Sequence, residues 1–554
     1  MDEEPRINSL TRRNVLKLGG AGLAAGVSGA TVDLLNPQTG DAQAPRRGGV
    51  FRLPLGQPPM FDHQLTVNWG TQIAVSFTHS RLVKVKAGPS VTPGTFPLEP
   101  DVAESWSQPT ETTYVFKLRR GVRWHPKPPV NGRELTAEDV KYTYERFLTV
   151  PGNPNRAQLE EVDRIETLDR YTVKFSLKEP YAWFLDALAT PSMCIIAKEV
   201  VEQYGDLKKS EACIGTGPWM LERYESGARM TWVRHPYYFL PGLPYADQVE
   251  GRVHPDPSSR LASWLAGGYD FGPEYLNVVR RADLDIVRQR KPALKTAEFL
   301  SPVGGVAVPK LGQEPFKDVR VRRAMMRANS WKEILESNAL AEGHGAPNPA
   351  VPAALREWAI PMDQLPPEGR KLYEQDPADA KRLLAAAGYP NGFKVPLETS
   401  GGFGLDFMDA VQIVQRNWKA IGIESDLKLK EVGAFVSSSI YGRFDKLMMM
   451  IRGGLVYPDP YLVHQYLPGQ PLNAAGVDDP KLTEMIRLQR RTFDVSRRRE
   501  ILHDIQRYLS ETVYYLLVGP SPTVVSAWEP YVKNFAPNLG NDYGGRLVAA
   551  WLDR

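Results

Sequence analysis

From Gly48 onward the chain alternates, irregularly and without repeat, between stretches of period-two hydrophobicity and stretches of helical spacing. That alternation confines it to α/β or α+β architectures and excludes solenoids, coiled coils and all-helical bundles. Gly49–Leu55 reads as an opening strand, and Thr113–Leu118 and Tyr171–Leu177 as clearer ones. In the last, Val173, Phe175 and Leu177 alternate with Thr172, Lys174 and Ser176, so one face is buried and the other wet. Thr136 caps a helix carrying Glu138 and Asp139 in its first turn and Val140, Tyr144 and Phe147 at helical spacing. Asp376-Pro377 opens another, with Leu383-Leu384 as its apolar stripe and Gly388 as its stop. Residues 411–421 and 480–488 are further amphipathic helices. Residues 494–509 form the strongest, with Arg497, Arg498 and Arg499 expected on its solvated side.

The composition is that of a large, loop-rich globular protein. There are 554 residues, enough for three to four domains at about 150 each, with 42% hydrophobic and 24% charged side chains and 47 Pro and 46 Gly. Lys and Arg number 68 against 64 Asp and Glu, so no basic excess points to nucleic acid. Two cysteines, Cys194 and Cys213, cannot build a disulfide scaffold or a four-thiolate zinc site. They can pair with each other in an oxidising compartment or remain two buried thiols.

The first 44 residues read as an export segment rather than as fold. Thr11-Arg12-Arg13-Asn14-Val15-Leu16-Lys17 precedes a Gly/Ala-rich, weakly apolar run from Leu18 to Ala30, and Ala42-Gln43-Ala44 supplies a small-x-small cleavage site. The twin arginine resembles a Tat signal, with Val15 in place of the usual Phe. No cysteine lies nearby to take a lipid anchor. The expected location is the periplasm, as a soluble exported protein.

The motifs of catalysis are missing. No Gly-x-Ser-x-Gly elbow, phosphate-cradling Gly-x4-Gly-Lys-Ser/Thr loop or His-Glu-x-x-His pair occurs, and the eight histidines lack the short spacing of metal pairs on one helix. No enzyme activity, cofactor or metal is expected. The 12 Trp, 23 Tyr and 19 Phe are more suggestive, because aromatics line ligand clefts.

Several blocks, in order, carry a family likeness: Val102-Ala103-Glu104-Ser105-Trp106, residues 114–124 (YVFKLRRGVRW) and 135–147 (LTAEDVKYTYERF), then 171–180, Gly215-Thr216-Gly217-Pro218-Trp219, 316–324, 376–392, Ile421-Gly422-Ile423 and Tyr457-Pro458-Asp459-Pro460. Over about Gly48 to Asn538 the chain resembles the bacterial extracellular solute-binding proteins of the dipeptide/oligopeptide/nickel class. The resemblance implies an α/β, two-lobed periplasmic-binding-protein fold with an extra subdomain inserted in the larger lobe and a hinge of two crossings. Lobe 1 would comprise a core subdomain of residues 45–80, 185–300 and 521–554 plus an insertion at 81–184, and lobe 2 residues 301–520. The crossings would lie near Pro302–Pro309 and Val518–Thr523. It further implies a monomer that binds solute between the lobes and hands it to an ABC permease in the inner membrane. Gly215–Pro218 is expected as a turn, and Arg320, Arg322 and Arg323 in helix-end and surface pairing.

The ligand is read from Arg452 to Pro460. Peptide-binding members of the family run Trp-x-Ala-Asp-Tyr-x-Asp-Pro here, and the first Asp pairs with the peptide's α-ammonium. In this chain that Asp falls on Val456 and the Trp on Gly453. A buried ammonium needs a carboxylate partner, which Val456 cannot supply. Asp459 is expected to cap or close the turn, and Gly453 and Gly454 to leave space where a Trp wall normally stands. The expected ligand-binding residues are Tyr457, Arg452, Trp69 and Phe403. Arg452 would either hold a carboxylate through its planar fork or be a surface charge. The ligand stays open between a peptide or peptide-like solute and an opine, glycoside, metal chelate or blocked peptide. A sensor reporting to a signalling partner and a secreted hydrolase are the other classes.

Overall fold

The computed structural model describes residues 44–337, 345–346, 350–453, 455–519 and 521–554. The export segment expected at the N-terminus therefore lies, but for Ala44, outside the described residues, as does Gly454.

One lobe is built on a mixed four-stranded sheet ordered Val50–Pro54, Gln248–Arg252, Arg229–Arg234, Trp219–Glu225. The opening strand runs parallel to Gln248–Arg252, which puts Phe51 and Leu53 on the buried face with Met230 and Trp232. The helix Trp69–Thr78 closes this face with Ile73, Val75 and Phe77, and the C-terminal Leu547, Ala550 and Leu552 complete the same core. The two ends of the described chain thus share one hydrophobic centre. A second sheet in this lobe pairs Ser521–Trp528 with Lys295–Leu300 and Val278–Val279.

Inserted after the first helix is a four-stranded antiparallel sheet ordered Ala103–Thr110, Thr113–Leu118, Thr172–Leu177, Val162–Asp169. Val173, Phe175 and Leu177 alternate inward, as their period demands. They meet Val140, Tyr144 and Phe147 of the helix Ala137–Thr149. Its start is a capping box: Asp139 Oδ2 accepts from the Thr136 N–H at 2.8 Å, and the Thr136 side chain accepts from the Asp139 backbone N–H.

The other lobe carries a mixed five-stranded sheet ordered Ile423–Leu429, Phe393–Thr399, Leu447–Arg452, Gly304–Pro309, Leu516–Leu517. The helices Val319–Arg327, Pro377–Ala386 and Leu405–Ala420 pack on it around Met325, Leu384, Val414 and Trp418. The chain passes from the sheets of one lobe to those of the other between Leu300 and Gly304, and returns between Leu517 and Ser521.

Two local expectations are corrected, and others are refined. The helix expected to begin at Val411 begins at Leu405, behind Gly404 in a φ of +103°. The arginine run on the helix Val495–Thr512 does not lie wholly on the solvated face: Arg498 stands three, four and seven residues before the buried Ile501, Leu502 and Ile505 and shares their stripe. Arg498 is buried with its guanidinium 4.3 Å from the Trp183 ring centroid and 5.2 Å from that of Trp358. Arg322 makes the expected helix-end pairing, donating to the carbonyls of Thr512 at 2.7 Å and Val513 at 2.8 Å, but is buried rather than at the surface. Thr216–Pro218 form a bend, and the segment is a close approach, since a Cβ on Gly215 or Gly217 would fall within 2.5 Å of the backbone of Thr78. The two cysteines are free buried thiols. Burial pushes Cys194 up to about 12 and Cys213 up to about 11.

Candidate ligand-binding site

Between the lobes lies a cavity of about 530 Å³, within the range of small-molecule sites. All four residues expected from the sequence line it: Trp69, Phe403, Arg452 and Tyr457. Trp69 opens its helix just behind the cap Asn68, whose Oδ1 accepts from Thr71 N at 3.2 Å, and stacks on Tyr275 with centroids 4.4 Å apart. Phe403 packs edge-on against Phe407 and Phe435 at 5.5 and 5.3 Å. Tyr457 is buried, and its hydroxyl reaches Gln158 Oε1 across the interlobe space at 3.5 Å. Burial first, then the neighbouring acids, hold this phenol well above the usual tyrosine range.

Arg452 is no surface charge. It is buried, donates from Nη2 to the Ala350 carbonyl at 2.9 Å and from Nη1 to Gln465 Oε1 at 3.1 Å, and lies 5.5 Å from the Tyr461 ring centroid. Much of its donor fork is spent on the protein itself.

The segment after it departs from expectation twice. Gly453 leaves no room for a larger residue: it sits at φ +144°, and a Cβ there would fall 2.5 Å from the Pro302 carbonyl oxygen and 2.7 Å from Val303 Cα. Gly453 is a contact with the crossing segment Pro302–Val303, which only glycine permits. Asp459 is not a cap. It is the first residue of the helix Asp459–Tyr466 and is buried, accepting from Tyr181 Oη at 2.9 Å and Gln489 Nε2 at 2.6 Å, with Arg490 Nε 3.4 Å away. Burial raises its carboxyl above the usual range in spite of Arg490. Arg490 also pairs with Glu160 and donates to the Ala157 carbonyl at 3.0 Å, and Ala182 N donates to the Arg490 carbonyl at 2.7 Å. Trp183 Nε1 joins Gln489 Oε1 at 2.7 Å. Residues 157–183 are thus bound to residues 457–490 by a buried polar network directly behind the cavity-lining loop.

Val456 lines the cavity and closes on Gly540, where a Cβ would meet its Cγ1 at 2.9 Å. Among the described lining residues the one carboxylate is Asp542. It is ion-paired with buried Arg81 and accepts the Gly545 N–H at 2.8 Å as a helix cap. Burial would raise its carboxyl, but Arg81 and the Gly545 N–H hold it below the ordinary value. His464 also lines the site; burial, then Arg490, lowers it to about 4, so the imidazole is neutral at neutral pH. Beside Asp542, the polar wall contributed by the first lobe includes uncharged groups already bonded to one another. Gln158 Nε2 donates to Asn155 Oδ1 at 3.3 Å, Asn541 Nδ2 to Gln72 Oε1 at 2.6 Å, and Thr190 and Ser192 hydroxyls meet at 2.8 Å.

Sequence reasoning missed Asp542, Asn155, Gln158 and Asn541. Each lies far along the chain from Arg452–Pro460, and no local pattern joins them. No group of three or more His, Cys, Asp or Glu side chains is placed to hold a metal among the described residues. No helix among them is long and apolar enough to cross a membrane.

Comparison with known proteins agrees with this architecture. Di/tripeptide-binding protein 1 of Pseudomonas aeruginosa (strain UCBPP-PA14) is 28% identical over 490 residues, spanning 83% of this chain and 86% of the relative. The Helicobacter pylori periplasmic binding protein DppA, solved with the peptide STSA, superposes with a TM-score of 0.76 at 22% identity, covering 92% of this chain and 99% of that one. AgaA from A. tumefacien R10, solved with agropinic acid, gives 0.77 at 22% identity over 91% and 99%. Residues 97–472 match the family model of bacterial extracellular solute-binding proteins, family 5 Middle. With two lobes, a cavity between them and a match over most of its length, the chain belongs to the family 5 bacterial extracellular solute-binding proteins.

Proposed function

We propose that this protein is the periplasmic substrate-binding component of an ABC importer, taking a peptide or peptide-like solute into the interlobe cavity and delivering it to a membrane permease. The observation that carries the reading is the cavity itself, lined from both lobes at once, so that a solute contacts both only when they are closed. The di/tripeptide-binding relative supports a peptide-like ligand. On this reading Trp69, Phe403, Tyr457 and Arg452 touch the solute, and the lobes divide as 45–80, 81–184, 185–300 and 521–554 against 301–520. The chain acts as a monomer, is exported, and performs no turnover.

A second reading, a non-peptide solute such as an opine, is favoured by Val456. A free α-ammonium would find no carboxylate there, and Asp542 is already engaged by Arg81. The test is uptake. Deleting the gene should abolish ATP-dependent import of the bound solute, and restoring it should recover import. Undiminished import would remove the receptor assignment, and chemical change of the solute by the purified protein would make it an enzyme.

A further inference from the structure

The two walls of the cavity differ in chemistry. The first lobe offers amides and hydroxyls beside the Arg81-paired Asp542, whereas the central strands of the second lobe's sheet, apart from the polar Arg452–Gln465 end, offer hydrocarbon and thioether. The reason is strand register. In the antiparallel pair Gly304–Pro309 and Leu447–Arg452, Val306 faces Met450 and Val308 faces Met448. Residues two apart share a face, so these four form one continuous patch, and all four line the cavity. Val306, Val308 and Met448 are at most 1% exposed and make a floor. Met450, Val436, Phe403 and Leu472 are half-buried and stand around it as a rim.

Together with this patch, the absence of an uncommitted carboxylate among the described lining residues decides what can enter. A cationic head would have to be desolvated without a partner, whereas a hydrocarbon group placed on the patch would leave no polar atom unpaired. Methionine walls adapt to varied apolar shapes, so the patch suits a class of group rather than one side chain.

We infer that the solute is a neutral or anionic, N-blocked peptide-like compound with a bulky apolar group, which lodges on the Val306–Val308–Met448–Met450 patch while its amide groups face the Asn155–Gln158 and Asn541 side. This rests on the receptor reading above and names the substrate class of the same site.

The test is calorimetric titration of the full mature chain, freed of bound solute by unfolding and refolding, with three probes: N-acetyl-Ala-Phe, N-acetyl-Ala-Ala and Ala-Phe with a free amine. N-acetyl-Ala-Phe should bind at least roughly tenfold more tightly than either of the others, the scale on which apolar pockets discriminate. In M450Q that advantage over N-acetyl-Ala-Ala should vanish. V436N, on the half-buried rim, should reproduce the effect should M450Q fail to fold. Equal binding of the two acetylated probes overturns the apolar-patch inference and leaves the receptor reading intact. Tighter binding of free Ala-Phe overturns the N-blocked class and likewise leaves the receptor reading intact. Failure of all three probes, with no solute released from the native protein, sinks both.

Discussion

Replacing Tyr181 by Phe removes one hydroxyl from the buried network behind the cavity, and its consequence separates a moving interface from a static core. Tyr181 donates to Asp459 Oδ2 at 2.9 Å, and both residues are at most 1% exposed. On the proposed division they belong to different lobes. With the lobes closed, the variant leaves Asp459 with Gln489 Nε2 as its remaining neutral side-chain donor at 2.6 Å and Arg490 at 3.4 Å. With the lobes open, water replaces the lost hydroxyl. A hydrogen bond to a charged group contributes about 1.5–3 kcal/mol, so the closed form alone is destabilised by that amount. Since the closed form is the one that holds solute, apparent affinity should fall roughly ten- to a hundredfold. Small-angle scattering of the unliganded protein should show a larger radius of gyration than wild type, and titration with the native solute should give the weaker affinity, mostly through faster release. Unchanged affinity and scattering, with the melting temperature alone lowered, would refute the argument: the Tyr181–Asp459 contact would then be an ordinary core contact that never opens.

Four further outcomes are expected. Val456→Asp restores a carboxylate to the cavity and should raise affinity for free-amine Ala-Phe at least tenfold by calorimetry, and no gain would mean that the ammonium is held elsewhere. Gly453→Ala must push against the Pro302 carbonyl from a positive φ, and should cost about 1–3 kcal/mol of stability in denaturant titration. Native protein should be inert to a thiol reagent and show two reactive thiols when unfolded, because Cys194 and Cys213 are buried and unbridged. Acid should destabilise the fold. Burial lowers His79 to about 3, and His235 and His464 to about 4, so below pH 6.5 the unfolded chain takes up protons that the native chain refuses. Their contribution is complete above that pH and is lost as pH falls toward the folded values, each adding at most about 1.4 kcal/mol per pH unit. Equal stability in denaturant at pH 7 and pH 5 would count against it.

Much of the scaffold was legible because it is local. The alternation at 172–177 and the Thr136–Asp139 cap need only neighbouring residues, and both appear as expected. Arg452 and Tyr457 are placed by their position in the family's ligand segment, Trp69 and Phe403 as aromatics beside the opening strand and in the glycine-rich loop 401–404, and all four line the cavity. What escaped depends on residues distant in sequence. Asp459 resembles a turn-closing Asp-Pro until Tyr181 and Arg490 arrive from elsewhere to bury it. Gly453 resembles vacated space until the Pro302–Val303 crossing fills it. The patch of Val306 and Met450 is plain strand alternation, but which face meets the cavity is decided only when the other lobe covers it. The inward turn of Arg498 was legible, since it stands three, four and seven residues before Ile501, Leu502 and Ile505 and so shares their apolar stripe.

The most direct measurement of the central claim is mass spectrometry of small molecules released on denaturing the purified mature protein, followed by adding each back to the solute-free chain. The account predicts a solute that lacks a free α-ammonium, carries an apolar group, and stabilises the fold by about 2.7 kcal/mol at a hundred times its Kd. A free-amine peptide that restabilises the protein would contradict the ligand class drawn from Val456. No released solute, and no stabilisation by any peptide or opine offered, would contradict the receptor itself.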